Sequence, residues 1–428
     1  MLIHFHFSNY KSFRDGVEFS MVADKYLNHR DSLMRIPGQR YAKVLPLAAV
    51  YGGNASGKTG FVSALKALKT TIATGDLSVL EPFLLDSEQA VCPSCFCICF
   101  FQDGQVYEYT LEVQGGRVQR EELLNRTKPR EQCLFRRCPG AALESDLLTD
   151  SRDAEQVYVR QMGGSLPDTQ LLLTTIHRLQ PRAIYAATAP CFTWFFITLC
   201  IIGADSKRVG LGFDLLQDLE LYQEALQQAD TGIEELSLKS VDAAASVPAD
   251  MLESFRQSAD DVMVTPEDAS LVLFKNEKGV NAVRCYSTHR TEDGRRVDFP
   301  LAKESDGTRR YMHLLPILLD TALPRVYVVD ELDRSLHHQL SRALVSHCRE
   351  NIRSGRQQLQ LIFTTHDALL LSKDTLRKDE VWVAERDGER VSHLTSFNDY
   401  KDVRADANIL KSYLEGRMGG LPHIYRVS

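Results

Sequence analysis

The sequence predicts a mixed α/β fold, and three observations predict it. Residues 44–51 and 326–329 are short apolar runs without alternation, and residues 361–367 open on another, the pattern of parallel strands buried on both faces. The first of these runs into a glycine-rich loop and then into the helix-patterned residues 61–68, a strand–loop–helix order. Alternating stretches at residues 2–7, 17–22 and 90–125 add antiparallel β structure.

In chain order, residues 2–7 and 17–22 form an opening antiparallel pair around Asn9-Tyr10-Lys11-Ser12-Phe13. The loop that follows strand 44–51 is Gly52, Gly53, Asn54, Ala55, Ser56, Gly57, Lys58 and Thr59, which fits G-x-x-x-x-G-K-[ST]. Its glycines let backbone N–H groups wrap an anion, and the helix behind it adds the partial positive charge of an N-terminus. Lys58 would reach the β- and γ-phosphates of ATP and Thr59 would bind Mg2+.

Cys92, Cys95, Cys97 and Cys99 crowd into one segment. As a strand, it puts Cys95 and Cys99 roughly 13 Å apart, too far for one zinc ion. The interleaved Phe96, Ile98, Phe100 and Phe101 and the turn Gln102-Asp103-Gly104-Gln105 favour a strand with small, core-facing thiols. Residues 1–145 are thus expected to form a β-rich N-terminal lobe carrying the phosphate loop. Residues 146–260 read as a mainly helical insertion, with apolar residues near helical spacing at 213–228. Residues 261–428 return to the core through strands 270–275 and 281–289.

Residues 326–329 end in Asp330-Glu331, where Asp330 would complete a magnesium shell and Glu331 would orient and deprotonate an attacking water. Ser305 stands 25 positions before Asp330 in Glu304-Ser305-Asp306-Gly307, which opens another helix and forms a second anion-binding helix start. His366 ends a further strand, 35 positions after Glu331. Taken singly, the first is an ordinary helix cap and the second a core histidine; their order is what marks them.

Composition narrows the class. A chain of 428 residues with 44% hydrophobic residues buries a full core. Its net charge of -7 excludes a surface that is basic overall, so nucleic acid would need a local patch. The densest is Arg126, Lys128, Arg130, Arg136 and Arg137 around Phe135. Residues 1–7 lack the pattern of a secretory signal, and the longest apolar stretch, residues 192–203, is too short to cross a bilayer. A soluble cytoplasmic protein with no membrane contact is expected, and the scattered cysteines agree with a reducing compartment.

Phosphate loop, Ser-x-Gly helix start, Asp-Glu strand, Asp333 just beyond it and a strand-end histidine occur in the order that resembles ABC-type ATPases, including SMC and RecF-like proteins. With Asn9–Phe13, Asp330–His337, Thr364–Asp367 and Tyr413–Pro422, the chain is similar to a bacterial ATP-binding family named AAA but built like an ABC ATPase. That family includes OLD-like proteins and ATPase subunits of antiphage systems such as PARIS. The resemblance implies an ABC-type P-loop fold, ATP and Mg2+ as ligands, and Glu331 and His366 as catalytic base and γ-phosphate sensor. It also implies Ser305, Gly307 and Asp333 acting on ATP held by a second copy, hence a homodimer or higher homo-oligomer. Ser305-Asp306-Gly307 departs from the Ser-Gly-Gly of transporters, and Gln89 is the sole weak candidate for a Q-loop residue. Only 62 residues follow His366, short of a typical domain, so a separate effector, a TOPRIM or other nuclease, is expected. The alternative is a RecF-like ATPase that clamps DNA.

Overall fold

The computed structural model describes residues 1–37, 43–127, 131–204, 218–229, 231–257, 262–265, 270–276, 279–400 and 409–416. The chain divides into two compact units: Met1–Gly203 with Leu323–Leu332 and Arg349–Ser428, and Ala204–Ala322 with Asp333–Cys348.

The first unit holds two six-stranded sheets and a two-stranded one. One six-stranded sheet is antiparallel, in the order β2-β1-β6-β7-β8-β9, from β1 (Leu2–Ser8), β2 (Val17–Ser20), β6 (Ser94–Gln102), β7 (Gln105–Gln114), β8 (Arg117–Asn125) and β9 (Gln132–Arg137). Strands β3 (Met34–Arg35) and β4 (Lys43–Val44) form the two-stranded pair. The other six-stranded sheet runs β10-β16-β17-β5-β18-β19, from β5 (Leu47–Tyr51), β10 (Leu199–Ile202), β16 (Arg325–Val329), β17 (Leu359–Thr364), β18 (Val381–Arg386) and β19 (Ser392–Ser396). It is parallel except for β19. The α/β class and the β-rich start are therefore as expected, and β5, β16 and β17 are the three apolar runs read from the sequence.

One core joins these sheets through α1 (Lys58–Thr74), which buries Phe61, Leu65, Leu68 and Ile72 along one helical stripe. The Phe61 ring lies 4.8 Å from that of Phe19 and 6.4 Å from those of Phe5 and Phe7. Ala48, Val50, Val326, Val328 and Ile362 of the parallel sheet belong to the same core. Each large side chain so buried contributes about 1.5–3 kcal/mol. The helix that carries the phosphate loop is thereby fixed to both sheets.

In β6 the period of two puts Ser94, Phe96, Ile98 and Phe100 inward and leaves Cys95, Cys97 and Cys99 on the half-buried face, opposite Ser8, His6 and His4 of β1. This corrects the expectation of core-facing thiols: the larger phenylalanines take the core side. Burial still pushes the Cys95 thiol up to about 11 and the Cys99 thiol up to about 12. Among the described residues no group of three or more His, Cys, Asp or Glu is arranged to hold a metal ion.

The expected insertion is also corrected. Residues 146–203 belong to the first unit, where α2 (Ala154–Ser165), α3 (Leu172–Leu179) and α4 (Arg182–Thr193) send Val159, Leu172, Ile176 and Ile184 into its core. Buried Glu121 of β8 caps α3, accepting from Leu172 N (2.6 Å) and Leu173 N (2.9 Å). Trp194 then stacks on Phe100 at 4.3 Å, and β10 joins the parallel sheet beside β16. Residues 154–193 are mainly helical, but a helical pattern does not say which body a helix packs on. No described helix is long and apolar enough to cross a membrane.

The second unit is built on a sheet rather than on helices: β11 (Glu235–Val241), β12 (Val262–Val264), β13 (Leu271–Asn276), β14 (Gly279–Arg290) and β15 (Arg296–Pro300). Strands β13 and β14 coincide with the strands expected at 270–275 and 281–289, but they pair with each other in the second unit and do not return the chain to the core of the first. The helices Leu219–Gln228 and Asp306–Leu319 bury Tyr222, Leu226, Met312 and Leu315 with Leu236 and Cys285, and Ala249–Gln257 covers Leu271, Leu273 and Ala282 with Leu252 and Phe255. Of the expected helix 213–228, residues 213–217 lie outside the described residues.

His313, on the helix Asp306–Leu319, is 8% exposed and its Nε2 has no hydrogen-bond partner. Burial, aided by Arg310 and Arg309, lowers its pKa to about 4. Between pH 6.5 and 4 the unfolded chain therefore binds more protons than the folded one, and stability falls as pH falls through that window. By pH 4.5 the loss amounts to about 2–3 kcal/mol. His313→Leu should lose less stability than the parent by that amount between pH 8 and 4.5 in denaturant titrations. Equal losses would show that His313 is not a buried neutral imidazole.

Candidate functional site

The phosphate loop leaves β5 at Gly52, whose φ of 152° and lack of a side chain are both required: a Cβ there would lie 2.4 Å from Ala384 O and 2.5 Å from Ser56 Oγ. Gly57 (φ 115°) closes the loop as the N-cap of α1, and its Cβ would meet Ser392 Oγ at 2.7 Å and the Phe13 ring at 2.9 Å. Ala55 adopts the left-handed region without glycine's freedom, at φ 59°. The first-turn amides of α1 have no acceptor within the helix and face outward with the positive end of its dipole.

A cavity of about 240 Å³ opens over this loop, lined by Ser12, Asn54, Ala55, Ser56, Gly57, Lys58, Thr59, Gly60, Glu331 and His366. Lys58 is 6% exposed and donates from Nζ to Gly52 O and Gly53 O, 2.8 Å each. Ser56 Oγ is buried without a hydrogen-bond partner. A buried ammonium, an unsatisfied hydroxyl and a ring of amides fit a phosphate group, which meets all three needs at once. Thr59 lines the cavity and Asp330 directly precedes Glu331, which also lines it; a hydroxyl and a carboxylate are ligand types that suit Mg2+.

Asp330 is 3% exposed at the end of β16. Thr364 Oγ1 donates to its Oδ1 at 2.7 Å and accepts from Glu331 N at 2.7 Å. That single hydroxyl sets both acidic residues, and Glu331 takes φ 51°, a left-handed backbone stored beside the cavity. Leu332 N bonds Thr364 O (2.9 Å), and Thr365 N bonds Val50 O (3.1 Å), so the ends of β16, β17 and β5 are tied together. His366, exposed, follows directly. Tyr51 packs edge-on against Tyr413 at 5.6 Å; residues 417–422 of the tail motif lie outside the described residues.

The sequence places Thr364 in the motif Thr364–Asp367 without assigning it a role; its signal is a threonine pair closing an apolar strand just before the histidine. Ser12 also reaches the cavity, and its Oγ accepts from Ser392 Oγ at 2.9 Å. Gln89 does not line the cavity; its carbonyl accepts from Asn9 Nδ2 at 3.0 Å.

Ser305, Gly307 and Asp333 are carried by the second unit. Ser305 is the N-cap of the helix Asp306–Leu319, its Oγ accepting from Thr308 N at 3.1 Å. A Cβ on Gly307 would lie 2.7 Å from Ser335 O, so this glycine is required by packing whatever else it does.

The basic cluster is neutralised where it is described. Arg126 pairs with Glu108 and Glu131, Arg136 with Glu122 and Glu144, and Arg137 is buried against the carbonyls of Leu166, Pro167 and Gln170. Lys128 and Arg130 lie outside the described residues.

The model of a family described as "AAA domain, putative AbiEii toxin, Type IV TA system" matches residues 205–372, less than half of the chain but a span that includes Ser305, Asp330, Glu331 and His366. No curated protein matches in sequence. Among solved structures, the chain is similar to the SMC head domain from Thermotoga maritima, with TM-score 0.37, 14% identity, 92% of this chain and 98% of that one covered. It is also similar to the Pyrococcus furiosus Smc head domain bound to the C-terminal domain of ScpA, with TM-score 0.39, 11% identity and 92% and 95% covered. These overlays are too loose to carry an argument, and residues 52–59, which they do not define, fit a phosphate group by their own geometry.

Thr364→Val keeps the side chain's shape but removes the hydroxyl that bridges Asp330 Oδ1 and Glu331 N. Stability should fall by about 1–3 kcal/mol. A denaturant midpoint unchanged from the parent would show that this hydroxyl does not hold the acidic pair.

Proposed function

We propose that the chain binds Mg-ATP at residues 52–59 and hydrolyses it as an ABC-type ATPase. The observation that carries this reading is the convergence of Lys58, Glu331 and His366 on one cavity at the carboxyl ends of the neighbouring parallel strands β5, β16 and β17. Gly52, Gly53, Asn54, Ala55, Ser56 and Gly57 wrap the phosphates, and Lys58 meets their charge. Thr59 and Asp330 would hold Mg2+, which would supply positive charge against the phosphate oxygens. Glu331 accepts the proton of the attacking water, and His366 senses the γ-phosphate. Ser305, Gly307 and Asp333 complete the site on a second copy, so the active species is a cytoplasmic homodimer or larger homo-oligomer.

At the biological level, we propose a sensor or scaffold subunit of a bacterial antiphage system whose effector, a TOPRIM or other nuclease, is a separate protein. The order of motifs supports it, and the matched family model, described as a toxin of a Type IV TA system, is in keeping with a two-component arrangement. A DNA clamp of RecF type is the second reading. The pairing of Arg126 and Arg136 with glutamates takes away its best local support. DNA retention on filters at two salt concentrations separates the two readings.

Lys58→Ala should lose ATP binding, since the loop amides alone cannot balance several negative charges; affinity equal to the parent's would refute the loop's role. Glu331→Gln should bind ATP yet turn it over at least ~100-fold more slowly and accumulate as an ATP-bound dimer. Ser305→Arg should bind nucleotide and lose hydrolysis. Mixed with Lys58→Ala chains it should regain part of the activity, because one of the two composite sites then carries neither defect. No recovery in verified mixed dimers would exclude the shared site.

A further inference from the structure

We infer that Glu304 is a positioning residue, through which strand β14 sets the place of the helix start that carries Ser305 and Gly307. Its functional half depends on the role proposed above for Ser305 and Gly307; its structural half does not.

The Glu304 side chain is 11% exposed. Its Oε1 accepts from Ser287 Oγ at 2.5 Å and from His289 Nε2 at 2.7 Å, two residues of β14 whose side chains share one face of the strand. Ser287 Oγ also lies 3.3 Å from Phe299 O of β15, the residue paired with it in register. One carboxylate oxygen thus collects two donors from the sheet, and bonds to an ionised acceptor are about twice as strong as neutral ones.

The carboxylate belongs to the residue just before the helix cap. After Pro300 the chain makes one 3-10 turn, Leu301–Lys303, and Glu304 N returns to Leu301 O at 3.1 Å. Ser305 follows in extended backbone (φ -58°, ψ 154°) and caps the helix through Thr308 N. On its other side the helix start meets the 333–337 turn, where Gly307 has no room for a Cβ against Ser335 O. Glu304 and Ser305 are adjacent in the chain, so a shift of β14 is passed on to the start of the helix that Ser305 caps. A displacement of 1 Å in a positioned group costs up to about 100-fold in rate.

The test reads position and turnover separately. In Glu304→Ala, hydrogen exchange at the amides of residues 308–311 should rise at least ~10-fold while that of α1 stays unchanged. ATP turnover should fall at least ~10-fold with KM within about 2-fold, the split expected when transition-state contacts are misplaced and nucleotide binding is spared. Glu304→Gln keeps an acceptor oxygen and should recover most of the turnover. Ser287→Ala should shift exchange in the same direction and add little to Glu304→Ala, because both act through one link.

Unchanged exchange in folded Glu304→Ala overturns the positioning role. Raised exchange with unchanged turnover, in a parent whose hydrolysis is abolished by Ser305→Arg, overturns the functional half. A parent without ATP turnover would refute the proposed function instead, and the exchange arm would still decide the structural half. Should Glu304→Ala not fold, Ser287→Ala takes its place, and unchanged exchange there overturns the link.

Discussion

Everything at the candidate site depends on a backbone that has no room for side chains at Gly52 and Gly57. Those two positions press against Ala384 O, Ser392 and the Phe13 ring, residues contributed by β18, β19 and the turn after β1. The phosphate loop is therefore not a free loop between a strand and a helix. It is shaped by chain segments more than 300 positions downstream and by the turn that carries Phe13.

The same unit uses hydrogen bonds where packing alone would leave polar groups stranded. Thr364 spends both faces of its hydroxyl on Asp330 and Glu331, which turns the end of β16 toward the cavity. Farther off, Arg349 reaches Glu380 at 2.5 Å, and Arg377 bonds Asp379 at 2.8 Å and the carbonyls of Asp24, Tyr26 and Asn28. All four charged groups are buried. Such a network binds the 24–33 segment to the turn that starts β18, and β18 in turn holds Gly52. Buried pairs of this kind contribute little net stability, but losing one partner is costly because the other charge is then left alone.

In the second unit, the helix cap at Ser305 is braced on two sides, by Ser335 O against Gly307 and by β14 against Glu304. A serine in that place is chemically ordinary as a helix cap. Its distinction comes from these two contacts and from the sequence order in which it stands.

The strands β5, β16 and β17, the phosphate loop with Lys58, the Asp330-Glu331 strand end and the Ser305 cap were legible in the sequence. Each is a local pattern: a continuous apolar run, a glycine-rich loop before a helix, a hydroxyl before a helical stretch. Three matters were decided only by tertiary structure. The assignment of residues 146–203 to the first unit depends on the pairing of β10 with β16 and on which core α2, α3 and α4 enter, and local periodicity carries no such information. The burial of Cys95, Cys97 and Cys99 depended on which face of β6 the larger phenylalanines claimed. The role of Thr364, and the glutamates that neutralise Arg126 and Arg136, are contacts across strands. A linear sequence gives the residues for such contacts, but only the register of the sheets brings them within hydrogen-bonding distance.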